Sequence, residues 1–300
     1  MAGITYLKHD EINKTLWDEC IAKAAKPMIY ATSWYLDIVA PGWDALVQGN
    51  YYAVMPLPKR QKFGINYLFQ PNFVQQLGIF SPIEADSQDF IDEIPDTFKY
   101  IDINFNEANE VPPHYYPDDN ANILLSINNT YDVLQKLFAD NVRRNLKKCE
   151  AAGFTATPLT SPDVIITLFK ENRGKKIGYT DADYAMLKAL YIAANERGLC
   201  EAIGIKDEEG EICGGGIFFK SFNRYIFIFS GNNNRGRDKG AMHFMMANFI
   251  EKHAGEDVYL DFEGSNNPSL ARFYKSFGGF KTSYKKLVIN RLPLLLRWLK

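Results

Sequence analysis

Hydrophobic and polar positions alternate most legibly between Glu211 and Phe280 of the 300-residue chain. EICGGGIFFK and RYIFIFSG are apolar runs of strand length, separated by the polar break SFN. The basic stretch NNNRGRDKG follows, then AMHFMMANFIEKHAG with apolar residues at helical spacing, then VYLDFEGS and NNPSLARFYKSFGGF. This pattern predicts strand, strand, loop, helix, strand and helix, with glycine or charge at each joint. The Gly214–Gly216 run has no helix directly after it, so it reads as a β-bulge or a close strand approach rather than a nucleotide loop.

The same reading extends upstream. Residues 10–25 form an amphipathic helix with Ile12, Leu16 and Ile21 on one side, and Tyr51–Leu57 is a strand ended by prolines. Ser87–Lys99 is helical, Tyr100–Phe105 alternates as a strand, and NILLSI is another strand. Thr130–Gly153 is helical with a joint near Asn141 and a glycine stop. FTATPL is a strand, Pro162–Arg173 a helix, NRGKKIGYT a basic glycine-broken loop, and Asp181–Gly198 a helix capped near Thr180. A hairpin turns at Glu208–Gly210, and KTSYKKLVI adds a last strand. The mixture predicts an α/β fold (α+β in some schemes). Its length allows two domains, placed at 1–128 and 129–300 with the boundary near Asn128–Asn129.

Composition narrows the function. A 46% hydrophobic, 14% aromatic chain can build substantial cores, and a net charge of −2 gives no global attraction to nucleic acid or an acidic membrane. Cys20, Cys149, Cys200 and Cys213 are widely spaced without a C-x-x-C pair, which argues against zinc fingers and a disulfide scaffold and fits a reducing cytosol. The four histidines make no H-E-x-x-H or similar cluster, so no catalytic metal is expected. MAGITYLKHDEINK lacks the apolar core of a signal peptide, and no run approaches the roughly 20 apolar residues that span a bilayer. A cytoplasmic protein is expected. The apolar, basic tail RLPLLLRWLK is expected to pack on its own domain or on a second subunit as a homodimer, ahead of a membrane-surface contact.

Chemistry gathers at two joints. Arg235, Arg237 and Lys239 precede Gly240 and Ala241, where a helix starts; helix N-terminal N–H groups and the positive dipole end favour a phosphate. The bland alternative is a solvated turn. At LDFEGS, Asp261 and Glu263 alternate along a strand and so share a face. Neighbouring carboxylates raise one pKa, suiting one of them to take a proton from an amine; capping or ion pairing is the alternative. Ser265 sits in D-F-E-G-S rather than G-x-S-x-G, which disfavours a serine hydrolase and leaves it turn or capping duty. Arg143 with Lys147, and Arg144 with Lys148, stack like charges at i,i+4, a cost that solvent or an anionic ligand must offset. Lys59, Arg60 and Lys62 fit an acceptor or anion site, or a solvated hairpin tip.

RDKGA followed by a helix resembles the Arg/Gln-x-x-Gly-x-Gly/Ala pyrophosphate loop of the GNAT acyltransferases, with Met242 where glycine or alanine is expected. NPSLARFYKSFGGF resembles their Asn-to-Tyr helix, with an extra Gly279. DFEGS with ARFYKSFGG, and RRNLKKCEAAG upstream, resemble the FemAB-like branch, whose members carry two GNAT-type domains. The resemblance implies tandem GNAT-like domains, each a twisted mixed sheet flanked by helices, the first degenerate and acceptor-side. It implies an N-acyltransferase moving an acyl group from acetyl-CoA or another acyl-CoA to a primary amine on a small molecule or peptide, without metal and without DNA. Arg235, Arg237, Lys239, Gly240, Ala241 and Asn267 would hold the donor. Asp261, Glu263 and Tyr274 would act in catalysis, Tyr274 facing the carrier sulfur with Lys275 as its neighbouring alternative. Arg143, Arg144, Lys147 and Lys59 would meet substrate. Aminoacyl-tRNA is the second donor the resemblance allows, and a non-catalytic GNAT-fold binding protein, suggested by Met242, is a third reading.

Overall fold

The computed structural model describes residues 3–115, 118–293 and 297. The chain divides into two compact units, Met1–Ala121 with Thr282–Lys300, and Asn122–Lys281. This differs from the division expected at 128/129 in one main respect: the chain's last strand, Phe280–Asn290, returns most of its residues to the first unit. Apart from Arg291–Pro293 and Arg297, the tail expected to pack on its domain or a second subunit lies outside the described residues. Among the described residues no helix is long and apolar enough to cross a membrane.

In the first unit, β1 (Ile4–Leu7), β2 (Asp44–Gln48) and β3 (Ala53–Leu57) form an antiparallel sheet, joined by α1 (Lys14–Lys23) and α2 (Ser33–Val39). β4 (Lys59–Lys62) and β5 (Ile65–Leu68) make a hairpin; α3 (Ser87–Asp92) and β6 (Phe98–Asn104) come next, and β6 pairs with the last strand from Lys286↔Asn104 to Asn290↔Tyr100. The core centres on Trp17 against Trp43, rings 4.6 Å apart, with the Trp17 indole N–H donating to the Ala31 carbonyl at 2.7 Å. The Asp44 carboxylate is fully buried and accepts from Lys59 at 2.5 Å and from the Tyr6 hydroxyl at 2.5 Å. The Lys59 ammonium, expected at a substrate or anion site, is therefore committed to Asp44, because a buried carboxylate needs a compensating charge.

The second unit takes up β7 (Asp118–Ser126) from Asn122 onward and continues with α4 (Tyr131–Lys136), α5 (Asp140–Ala151), β8 (Thr155–Pro158) and α6 (Asp163–Phe169). A π-helical turn, Lys170–Gly174, then leads to α7 (Lys175–Ile177) and α8 (Asp181–Glu196). β9 (Cys200–Lys206), β10 (Ile212–Ser221), β11 (Arg224–Asn232), α9 (Asn234–Lys239), α10 (Ala241–Lys252), β12 (Tyr259–Asp261) and α11 (Pro268–Lys275) complete it. The strand order is β7-β12-β11-β10-β9-β8, antiparallel throughout except for the parallel pair β11–β12. The expected joint near Asn141 falls earlier, at Leu137–Ala139, and the expected basic loop before Gly240 is the short helix α9.

The three consecutive glycines lie mid-strand in β10 because α10 and β9 press on them. A Cβ on Gly214 would meet that of Ala241 at 3.2 Å, one on Gly215 the Ile203 carbonyl at 2.6 Å, and one on Gly216 the Met245 sulfur at 2.7 Å. α10 can therefore lie flat on the sheet. Its Phe249 stacks on Phe218 at 3.7 Å, and Met245, Met246 and Ile250 are buried beside it. Each such side chain stabilises by about 1.5–3 kcal/mol on burial.

At the far end of α10, His253 sits between two carboxylates: Nδ1 is 2.6 Å from Glu256 and Nε2 2.9 Å from Glu201. An acceptor at each nitrogen requires both to carry protons, so the imidazolium is the fitted form, and a cation suits a helix C-terminus. Burial alone would lower its pKa, but the two carboxylates outweigh burial and raise it. The stabilisation is thus fully present below the unfolded value near 6.5 and is lost as pH rises through the folded one. Denaturant unfolding of wild type and His253→Gln should differ most near pH 6, on the order of 2 kcal/mol, with the gap closing toward pH 9; a pH-independent gap would contradict this.

Candidate functional site

β11 and β12 run together for three residue pairs, Arg224↔Tyr259 to Ile226↔Asp261, and then part. Among the described residues β11 continues to Asn232 paired with β10 alone, so from Phe227 onward its other edge is open. A bulge on β11 at Ile228, where Ile217↔Phe229 is followed by Phe218↔Phe227, bends the strand further. The opening holds a cavity of about 250 Å³ with an apolar wall of Phe169, Phe227, Leu270 and Phe273. Ser230, His243 and Tyr274 face it from inside, and Arg173 and Arg237 border it.

Two glycines make this geometry reachable. A Cβ on Gly231 would stand 2.4 Å from the Ile165 carbonyl and 2.8 Å from the Phe169 amide nitrogen, so the end of α6 can cross β11 only over glycine. Gly240, at φ +93°, joins α9 to α10 in the left-handed region and lies where a Cβ would meet Asn145 at 2.7 Å. The first turn of α10 borders the cavity through Gly240, Met242 and His243.

The residues expected to hold a donor are not all brought together. Arg237 is at the cavity, bonded to Asn234 at 2.9 Å and Asn172 at 3.4 Å, with the Asp238 carboxylate at 3.8 Å. Arg235 instead turns to the β9–β10 hairpin, where Asp207, Glu208 and Glu209 lie at 3.2, 2.7 and 3.1 Å. A guanidinium neutralised by three carboxylates has little charge left for a phosphate. Lys239 does not line the cavity; its carbonyl accepts from the Cys149 thiol at 3.1 Å. Ala241 packs against Gly214. Asn267 caps α11, accepting from Ser269 at 2.9 Å and Leu270 at 3.3 Å ahead of Pro268.

None of the basic residues of α5 lines the cavity. Arg143 bonds Asp140 at 3.1 Å, and the Lys148 ammonium bonds the Asp238 carbonyl. Arg144 and Lys147 are exposed and pair with no described residue.

The two acidic residues part company. Asp261 is 1% exposed, 3.0 Å from Arg224, and accepts from the Asn122 amide at 2.9 Å and the Glu263 N–H at 3.1 Å. Burial pushes its pKa up, opposed by Arg224 and the two N–H donors; three donors around one group favour the carboxylate, and a base occupied in this way is a structural ion-pair partner. Glu263 does not share its face as strand alternation predicted, because β12 ends at Asp261 and Glu263 takes φ +52° in the left-handed region. Burial lifts its carboxyl to about 8. Tyr274 stacks on Phe262 with rings 4.9 Å apart. Burial, then the nearby Glu263 charge, raise its phenol above the ordinary value, with Arg173 opposing. Burial holds His243 down at about 4, so its imidazole is neutral at neutral pH.

Asn172, Arg173, His243 and Ser230 escaped the sequence reading. The first two lie in a stretch that reads as the end of a helix and a basic loop, and are a π turn; His243, a polar position on an otherwise apolar helix face, was the one visible signal. Among the described residues no group of three His, Cys, Asp or Glu side chains could hold a metal ion.

No protein-family model matches the chain, and no curated protein matches it by sequence. In structure it is similar to FemX, with a TM-score of 0.66 at 12% identity over 96% of this chain and 98% of that one. It is also similar to the tandem GNAT protein from the clavulanic acid biosynthesis pathway (TM-score 0.53, 11% identity, 97% and 99% covered). A third similar structure is L-PGS from Bacillus licheniformis (TM-score 0.51, 9% identity, 96% and 95% covered). Identities this low speak for the fold alone, and on that the sequence motifs and the structure agree: the chain has the tandem GNAT-type fold of these structures.

Proposed function

We propose that this protein is an N-acyltransferase that moves an acyl group from an acyl-CoA thioester to a primary amine in a ternary complex. The observation that carries the reading is the cavity where β11 leaves β12, which has an apolar wall, two guanidinium groups at its rim and the Glu263–Tyr274 pair beside it. The donor's pyrophosphate would meet Arg237 and Arg173 at the first turn of α10, and its pantetheine arm would run along the open edge of β11. The amine attacks the thioester carbonyl, whose oxygen is met by backbone N–H groups of that edge. A C–N bond forms and the C–S bond breaks. Glu263 takes the amine proton, and Tyr274, held protonated, gives its own to the departing thiolate. In this reading Asp261 is a structural residue.

A second reading, transfer from aminoacyl-tRNA, is favoured by one feature: Arg144 and Lys147, exposed on α5, the helix that touches α9, pair with no described residue. Titration calorimetry separates the readings. CoA and acetyl-CoA should bind at micromolar concentration, Arg237→Ala should weaken them by about tenfold or more, equivalent to about 1.4 kcal/mol, and Arg235→Ala should leave affinity largely unchanged. Binding of charged tRNA alone would support the second reading, and binding of neither would remove both.

The acidic pair yields a sharper contrast. Glu263→Gln should fold normally and lose about 10²–10³-fold in kcat, whereas Asp261→Asn should lose about 3–5 kcal/mol of stability by stranding Arg224. Because Glu263 must be deprotonated to accept a proton and titrates near 8, kcat/KM should rise with pH through about 8 and level off above it. Glu263→Gln should remove that limb from the pH–rate profile; an unchanged limb would assign it to another group.

A further inference from the structure

We infer that Asn172 is a positioning residue for the anion site, delivered there by the π turn that interrupts the helix after α6. The inference rests on the donor-site reading above and deepens it. An α-helix continued past Phe169 would carry its side chains onward at 3.6 residues per turn; the π turn Lys170–Gly174 is wider and redirects the chain beyond it. Its middle residue is Asn172. The Asn172 side-chain N–H donates to the Asn232 carbonyl at 2.9 Å and to the Asn232 side-chain oxygen at 3.1 Å. Asn232 closes the β10–β11 ladder, opposite Gly214. The Asn172 side-chain oxygen accepts from Arg237 at 3.4 Å. One amide therefore ties the end of the open strand to the guanidinium at the rim of the cavity.

Charge explains why an amide stands here. Two arginines flank Gly236, two residues apart, and the fold treats them oppositely. Arg235 is surrounded by three carboxylates, whereas Arg237 is held by the amides of Asn172 and Asn234 with its nearest carboxylate at 3.8 Å. An amide oxygen fixes a guanidinium without neutralising it, leaving its charge for a bound anion.

The test uses the full-length protein with pyrophosphate and CoA as probes. Asn172→Ala should weaken both about 3–10-fold, and this loss should vanish in an Arg237→Ala background, because the residue acts through Arg237. Asn172→Asp keeps the shape and the acceptor for Arg237 but neutralises it, so it should weaken pyrophosphate more than Asn172→Ala does, by a margin that shrinks with added salt. Wild-type affinity in Asn172→Asp, or an Asn172→Ala loss that persists undiminished without Arg237, would overturn the inference. If wild type binds neither probe, the donor reading fails on its own, and nitrogen-15 relaxation of the Arg237 Nε–H still decides the role of Asn172. That group should become more mobile in Asn172→Ala, and unchanged mobility would overturn the inference. The relaxation measurement also decides if Asn172→Asp does not fold.

Discussion

The second unit depends on the buried ion pair at the root of the diverging strands. Arg224 opens β11 and Asp261 closes β12; both are nearly inaccessible and their charged groups lie 3.0 Å apart. Desolvating two charges is expensive, and the pair persists because Asn122 and the Glu263 N–H supply further hydrogen bonds to the carboxylate. A parallel ladder of three residue pairs is a weak seam by itself. The ion pair lets the strands stay joined at one end while β11 bends away at Ile228, and the opened edge becomes the wall of the cavity.

A second constraint is how closely helices approach the sheet. Gly214, Gly215 and Gly216 remove the side chains that would hold α10 and α6 off β10, and Gly231 does the same where α6 crosses the end of β11. The helices carrying His243 and Phe169 to the cavity are therefore placed by glycines that contribute no chemistry. Replacing Gly231 by alanine would set a Cβ 2.4 Å from the Ile165 carbonyl, and backbone atoms on both sides leave no flexible group to yield.

Legibility from sequence followed the range of the interactions. The strand–strand–helix–strand–helix order was readable because apolar period and glycine punctuation are local. Arg237, read from the basic loop motif, and Tyr274, read from the helix after Asn267, also lie at the cavity. Arg235 did not follow its motif because the acidic turn Asp207–Glu209 claims it, and that turn is more than twenty residues distant in sequence. Strand alternation placed Asp261 and Glu263 on one face; it failed because the strand stops between them and Glu263 adopts a left-handed backbone that no residue pattern announced. The π turn was invisible for a similar reason. Its five residues are ordinary helix formers and loop formers, and its effect is a change of direction rather than of composition.

The titratable groups about the cavity complete the physical picture. Burial moves Glu263 up to about 8 and His243 down to about 4, and it lifts the Tyr274 phenol, so each of the three favours its neutral form at pH 7 although their chemistries differ. Positive charge stands at the rim, on Arg173 and Arg237. A ligand with an anionic head and a neutral, slender reactive arm matches that division, because the head retains solvent and guanidinium partners while the arm alone loses water. A ligand charged along its whole length would have to place charge among Phe169, Phe227 and Phe273, where Ser230, the neutral His243 and Tyr274 offer no countercharge. On the proposed reading, the division between rim and interior suits a carrier-linked acyl group better than a free acid, and it does so through burial rather than through any single contact.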